Sequence, residues 1–186
     1  MTGTPQPVRT WLQPDERVLW QGRPIVRSYV LRGAWYVIPF SVLWAGFAFF
    51  WEFMVVTGGA PSFFAIWGIP FVLIGLYMLV GRWWVAAREA ANSAYAITDR
   101  RVLILSGAFR RNFAALELRN MPGAHVDYGS NGTGSITFGS VSGFRMPPGW
   151  PTFVGGWRYP NPPTFWAISD VANVFAIYQK AVSEAR

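Results

Sequence analysis

Two long apolar stretches, placed back to back, constrain this chain more than any other feature. Residues 34–56 and 63–81 are each close to the roughly 20 residues an α-helix needs to cross a bilayer. Only Thr-Gly-Gly-Ala-Pro at 57–61 separates them, too short to hold a domain. The pattern predicts an α-helical membrane hairpin within 33–84, with spans at 34–56 and 63–81. The preceding 1–7 segment is polar and proline-rich, unlike the apolar core of a cleaved signal, so the first span is expected to remain in the mature chain.

Charge orients the hairpin. The net charge of +7 is carried almost wholly by arginine, and the 57–61 turn holds no charge. Arg27 and Arg32 precede the first span, and Arg82 and Arg88 follow the second. By the positive-inside rule both termini face the cytoplasm. Juxtamembrane arginines also meet anionic headgroups, so membrane lipids are the expected partner and nucleic acid is not.

Aromatic residues crowd the expected interfaces, with Trp35, Tyr36, Trp83 and Trp84 on the inner side and Trp51, Phe63 and Trp67 toward the outer. Trp44 stands at mid-span, where packing between helices would hold it. Ser41 and Ala45 share one helical face, and Gly68 and Gly75 share another. Small residues let helices approach closely in lipid, so these are candidate helix–helix contacts, within the hairpin or toward another subunit. Glu52 is the ionisable residue inside a span. Either it reaches water at the outer end, or it meets a partner helix.

From residue 93 the pattern changes to short alternating runs broken by Asp-Arg, Ser-Gly and Met-Pro-Gly turns. About six strands are expected, with a hairpin tip at Gly129–Gly134 and a short pairing piece around residues 140–141. A C-terminal helix over 170–186 follows, capped by Ser169 or Asp170, with Val171, Val174, Phe175, Tyr178, Ala181 and Val182 along one stripe. A further strand is expected at 16–21, inside the 1–32 N-terminal segment.

Three stretches carry a resemblance: Pro14-Asp15-Glu16-Arg17-Val18-Leu19-Trp20-Gln21-Gly22, Tyr95-Ala96-Ile97-Thr98-Asp99-Arg100-Arg101-Val102, and Phe165-Trp166-Ala167-Ile168-Ser169-Asp170-Val171. Their order around a membrane hairpin resembles the bacterial pleckstrin-homology (PH-like) membrane proteins with two spans and one cytoplasmic domain. The resemblance implies an α+β domain over 93–186, a seven-stranded, two-sheet β-sandwich or partly open barrel closed by a C-terminal helix. It also implies the bacterial cytoplasmic (inner) membrane. Residues 145–163 depart from a minimal version of that pattern. Arg145, Trp150, Phe153, Trp157, Arg158 and Tyr159 stand there as candidate contacts to a partner or the membrane.

Catalytic chemistry is hard to assemble from this sequence. It contains no cysteine and one histidine, His125, which shares a strand face with Asp127. Gly129–Gly134 lacks the Gly-Lys-Ser/Thr of a phosphate-binding loop. Asn131-Gly132-Thr133 matches a glycosylation sequon, but on the cytoplasmic side the match is accidental. No cofactor or metal site is expected, and neither is enzymatic activity. Two functions fit: a scaffold whose PH-like domain binds a protein or lipid headgroups, or an accessory subunit or assembly factor of a larger respiratory or photosynthetic inner-membrane complex.

Overall fold

The structure is a computed structural model and describes residues 10–31, 34–109, 111–121, 123–139, 153–154, 157–158 and 162–185. Strand β1 (Val18–Gly22) runs to Arg23-Pro24, where proline ends the pairing, and a short helix α1 (Val26–Val30) follows. The first strand thus starts two residues later than the expected 16–21. Sequence periodicity had not foretold α1.

Two long helices come next, α2 (Ala34–Thr57) and α3, which runs through Ser62–Asn92. Both are long and apolar enough to cross a membrane. They meet through small side chains: Ser41, Ala45 and Ala48 on α2 are buried, as are Gly68 and Gly75 on α3. Large apolar side chains point outward instead, with Leu43 73% exposed and Phe47 and Phe50 each 64% exposed. A patch that size needs an apolar surrounding or a partner. Pro39 and Pro70 lie inside α2 and α3 without ending either.

α3 is longer than the expected 63–81. Thirty-one residues at 1.5 Å each span about 46 Å, against a hydrocarbon core of about 30 Å. One wide turn, Tyr77–Gly81, interrupts the regular helix. An extra residue in a turn rotates the downstream face by about 100°. Beyond it Arg82, Ala86 and Ala90 recur four apart and are buried. That stripe packs Arg82–Asn92 against α1.

After Ser93 the chain enters a β-lobe. β2 (Ala94–Thr98), β3 (Arg101–Ser106) and β4 (Asn112–Glu117) join β1 in an antiparallel sheet of order β1-β2-β3-β4. β5 (Ala124–Tyr128) and β6 (Gly134–Phe138) form the expected hairpin around its glycine-rich tip. Among the described residues β7 (Phe153–Val154) and β8 (Trp157–Arg158) pair with each other, and β9 (Thr164–Ile168) completes a second sheet of order β5-β6-β9. The C-terminal helix is α4 (Val171–Ala185). Residues 140–141 lie outside the described part.

Two faces of the four-stranded sheet are covered. Tyr95, Ile97, Val102 and Ile104 face the main core with the second sheet and α4, where Val171, Val174, Tyr178 and Ala181 are buried. Alternate residues Ala94, Ala96, Leu103 and Leu105 face the other way and are covered by Leu12, Val18 and Phe113. Trp11 stacks on Phe113 at 4.7 Å. This two-sided burial explains why β2 and β3 read as nearly continuous apolar runs. Through the core runs an aromatic chain: Tyr95 stacks on Phe165 (4.8 Å), Phe165 meets Phe138 edge-on (4.9 Å), and Phe138 meets Tyr178 (5.3 Å).

The topology ties the parts together. β1 precedes the helical hairpin and β2 follows it, yet the two strands are neighbours, with Gly22 opposite Tyr95 and Gln21 opposite Ala96. The hairpin is therefore an insertion between two adjacent strands of one sheet. Its chain leaves and re-enters the lobe at the same end.

Candidate functional site

The seam where α3 enters the lobe concentrates the unusual side chains. Tyr29 on α1 is 2% exposed and packs with Ala90, Ala167 and Trp166. Burial, then the adjacent Glu89 carboxylate that it hydrogen-bonds, pushes the Tyr29 phenol well above its ordinary value. Ala167 adopts a left-handed backbone (φ 50°). Its carbonyl accepts the Ile25 amide (2.8 Å), and its own amide donates to Ser135 Oγ (2.9 Å). Strain at a non-glycine residue persists where surrounding contacts fix it. Here they fasten α1 to the second sheet. Burial likewise raises the Tyr95 phenol.

Arg82, expected to follow the second span as a topology signal near lipid headgroups, is fully buried, its guanidinium 4.1 Å from the Trp83 ring centroid. Arg88, one turn and a half further, stays exposed. Its Nε donates to the Ala108 carbonyl (3.2 Å), as does Asn92 Nδ2 (3.1 Å). The guanidinium lies 5.7 Å from both the Trp84 and Phe109 rings, which are 6.0 Å apart. A cation within about 6 Å of two aromatic faces is attracted by both. The β3–β4 loop is thus pinned to α3. Beside it opens a groove of about 420 Å³ lined by Arg23, Asn92, Leu105 and Arg111.

At the opposite end of the lobe, the β2–β3 turn carries a different arrangement. Arg101 donates from Nε to Glu16 Oε1 and from Nη2 to Glu16 Oε2, both at 2.8 Å. Thr98 Oγ1 also donates to Glu16 Oε1 (2.8 Å). Burial opposes ionisation of Glu16, but hydrogen bonds from Arg101, the Gln13 amide and Thr98 outweigh it and hold the carboxyl below its ordinary value. A groove of about 670 Å³ with mixed charge lies here, lined by Arg100, Glu117, Arg119 and Glu184.

The sequence candidates divide three ways. Within the hairpin, a Cβ on Gly75 would come 3.1 Å from Ala45 Cα, and Glu52 Oε2 lies directly against Gly68. Ser41 Oγ donates to the Val37 carbonyl (2.7 Å), and Trp44 stacks on Phe71. Of the two settings open to Glu52, one carboxylate oxygen adopts the helix contact: Oε2 is sealed from solvent without a hydrogen-bond partner among the described residues. His125 Nε2 and Asp127 Oδ1 are 3.2 Å apart on a largely exposed surface. Arg145, Trp150 and Tyr159 lie outside the described residues, as do the side chains of Phe153, Trp157 and Arg158.

Among the described residues no cluster of three His, Asp or Glu could hold a metal ion. The Gly129–Gly134 tip closes as a tight turn, Gly129 donating to the Thr133 carbonyl (2.7 Å) with Asn131 and Gly132 at positive φ. Sequence reasoning missed the Tyr29–Glu89 and Trp84–Arg88–Phe109 groups. Only the i, i+4 spacing of Trp84 and Arg88 hinted at the second.

These features define a class: a two-sheet β-lobe with a C-terminal helix, carrying an apolar helical hairpin inserted between its first two strands. The chain matches no protein-family model, no curated protein and no solved structure.

Proposed function

We propose that this is a multi-pass protein of the bacterial cytoplasmic membrane, with both termini cytoplasmic, whose PH-like lobe is a non-enzymatic scaffold for a protein partner. The observation that carries this reading is the insertion of the hairpin between paired strands β1 and β2. α3 continues past the length of a bilayer core and ends one residue before β2. A tethered domain would need a linker; this one is mounted. A mount of that kind suits holding a surface at a fixed height and orientation.

Sheets of four and three strands followed by a helix are compatible with the seven-stranded, two-sheet fold that the resemblance implies. The mixed charge of the far groove suits a polypeptide partner better than a phosphate-rich one. Photo-crosslinking in intact cells tests the reading, with a photoreactive residue at Ala115 or Arg119 beside that groove. A discrete adduct with one cytosolic protein is expected. An adduct with the subunits of one large membrane complex, in stoichiometric amounts, would favour an accessory-subunit role. Release of the chain from membranes by alkaline carbonate would overturn the proposal.

A further inference from the structure

We propose that the rim of the β-lobe around the inner end of the hairpin docks onto an anionic phospholipid leaflet, with Phe109 among the headgroups and Arg23 and Arg111 holding lipid phosphates. The proposal rests on the reading of α2 and α3 as membrane spans.

Height comes first. Trp84 stands at the inner end of the apolar part of α3 and is 59% exposed, where an indole favours the headgroup level. Phe109 sits 6.0 Å from it and is 69% exposed. The loop that carries Phe109 is not free to retract, because Arg88 and Asn92 both hold the Ala108 carbonyl. On the other sheet the β5–β6 tip presents Tyr128, also 69% exposed, beside Arg27 and Leu31 of the approach to α2. The two sheets therefore each place an exposed ring at the hairpin end.

Charge selects the same end. Arg23, Arg27, Arg88 and Arg111 cluster around the rim and its grooves. Of the acids at this end, Glu89 is engaged by Tyr29 and Asp127 by His125, and Asp170 stands exposed beyond β9, so the four arginines still leave an excess of positive charge. At the far end Arg100, Arg101 and Arg119 are balanced by Glu16, Asp99, Glu117 and Glu184. Arg23 and Arg111 line one groove, are exposed, and make no ion pair among the described residues. Guanidinium groups match phosphate oxygens in paired hydrogen bonds. Each basic residue near an anionic surface adds roughly a fivefold gain in binding, lost as salt screens it.

The chain has no cysteine, so single spin labels report cleanly on the full-length protein in lipid nanodiscs. Labels are placed at Ala108→Cys on the loop, Arg100→Cys at the far end and Leu43→Cys in the hairpin. In discs containing phosphatidylglycerol, the label at 108 is expected at headgroup depth, the label at 100 in water and the label at 43 in the acyl region. Phe109→Ser, or Arg23→Gln with Arg111→Gln, should move the label at 108 into water. The double arginine variant should also retain phosphatidylglycerol less well in native mass spectrometry, by about fivefold per arginine. Excess inorganic phosphate should not substitute for the anionic lipid. A label at 108 as aqueous as that at 100, or equally deep in neutral phosphatidylcholine, overturns the proposal. A water-exposed label at 43 instead removes the membrane reading itself.

Discussion

Arg101 closes a two-pronged clamp on Glu16, 85 residues away in sequence, with both N–O distances at 2.8 Å and the Glu16 side chain wholly buried. The same turn is braced by Thr98 Oγ1, which accepts the Arg100 and Arg101 amides, and by Asp99 Oδ1, which accepts the Arg17 amide. The Pro-Asp-Glu-Arg and Thr-Asp-Arg-Arg stretches therefore meet in space. They are a staple that fastens β1 to the lobe across the hairpin insertion.

Removing one partner from such a pair leaves a buried charge uncompensated, at a cost of about 3 kcal/mol. Arg101→Ala should therefore lower the urea midpoint of the lobe in detergent sharply, whereas Arg119→Ala should move it little. Equal effects for the two variants would refute the staple.

Acid should weaken the same contact. The folded state holds the Glu16 carboxyl below its ordinary value. The pair therefore contributes above the unfolded-state value near 4.5 and loses its contribution as pH falls through the lowered folded value. The stability gap between the native chain and Glu16→Gln should close across that window. A gap that stays constant down to pH 2 contradicts the geometry.

Alkali acts on two buried phenols. Tyr29 and Tyr95 both titrate above their ordinary value of 10.0. Their protonated forms stabilise the fold fully below pH 10, and that contribution declines as the unfolded chain gains tyrosinate above it. Tyr29→Phe should cost about 1 kcal/mol at neutral pH through the lost Glu89 contact, yet soften the alkaline loss. Near-UV circular dichroism against pH would report both effects.

The hairpin seam can be trapped covalently. A Cβ at Gly75 would lie 3.2 Å from Ala45 Cβ, a few tenths of an ångström short of the usual disulfide separation of about 3.5–4.5 Å, a gap that a slight parting of the helices closes. Ala45→Cys with Gly75→Cys should oxidise to an intramolecular crosslink in native membranes. Phe47→Cys with Gly75→Cys should not.

Gly134 offers a test in the lobe. A Cβ there would meet the Asp127 carbonyl and Val171 Cγ1, each at 2.6 Å. One contact is backbone and the other belongs to the first turn of α4, so neither yields easily. Gly134→Ala should destabilise by about 1–3 kcal/mol, read as a lower thermal midpoint of the lobe.

What sequence alone determined was composition along one dimension. Apolar length set the two helices, short apolar runs between turn residues set the strands after residue 93, and the stripe of α4 was legible because its burial follows helical periodicity. Small residues at 45 and 75 marked the hairpin seam because only small groups permit that approach. Tertiary structure decided what depends on distant partners. The pairing of β1 with β2 spans the inserted hairpin, and no local pattern encodes a neighbour more than 70 residues away. Arg82 reads as a flank of the second span in sequence but is buried, because its environment is set by the elements packed around α3 and not by its position along the chain. Glu16 and Arg101 look like ordinary surface charges until the fold brings their side chains together, because desolvation and charge pairing are properties of the packed chain.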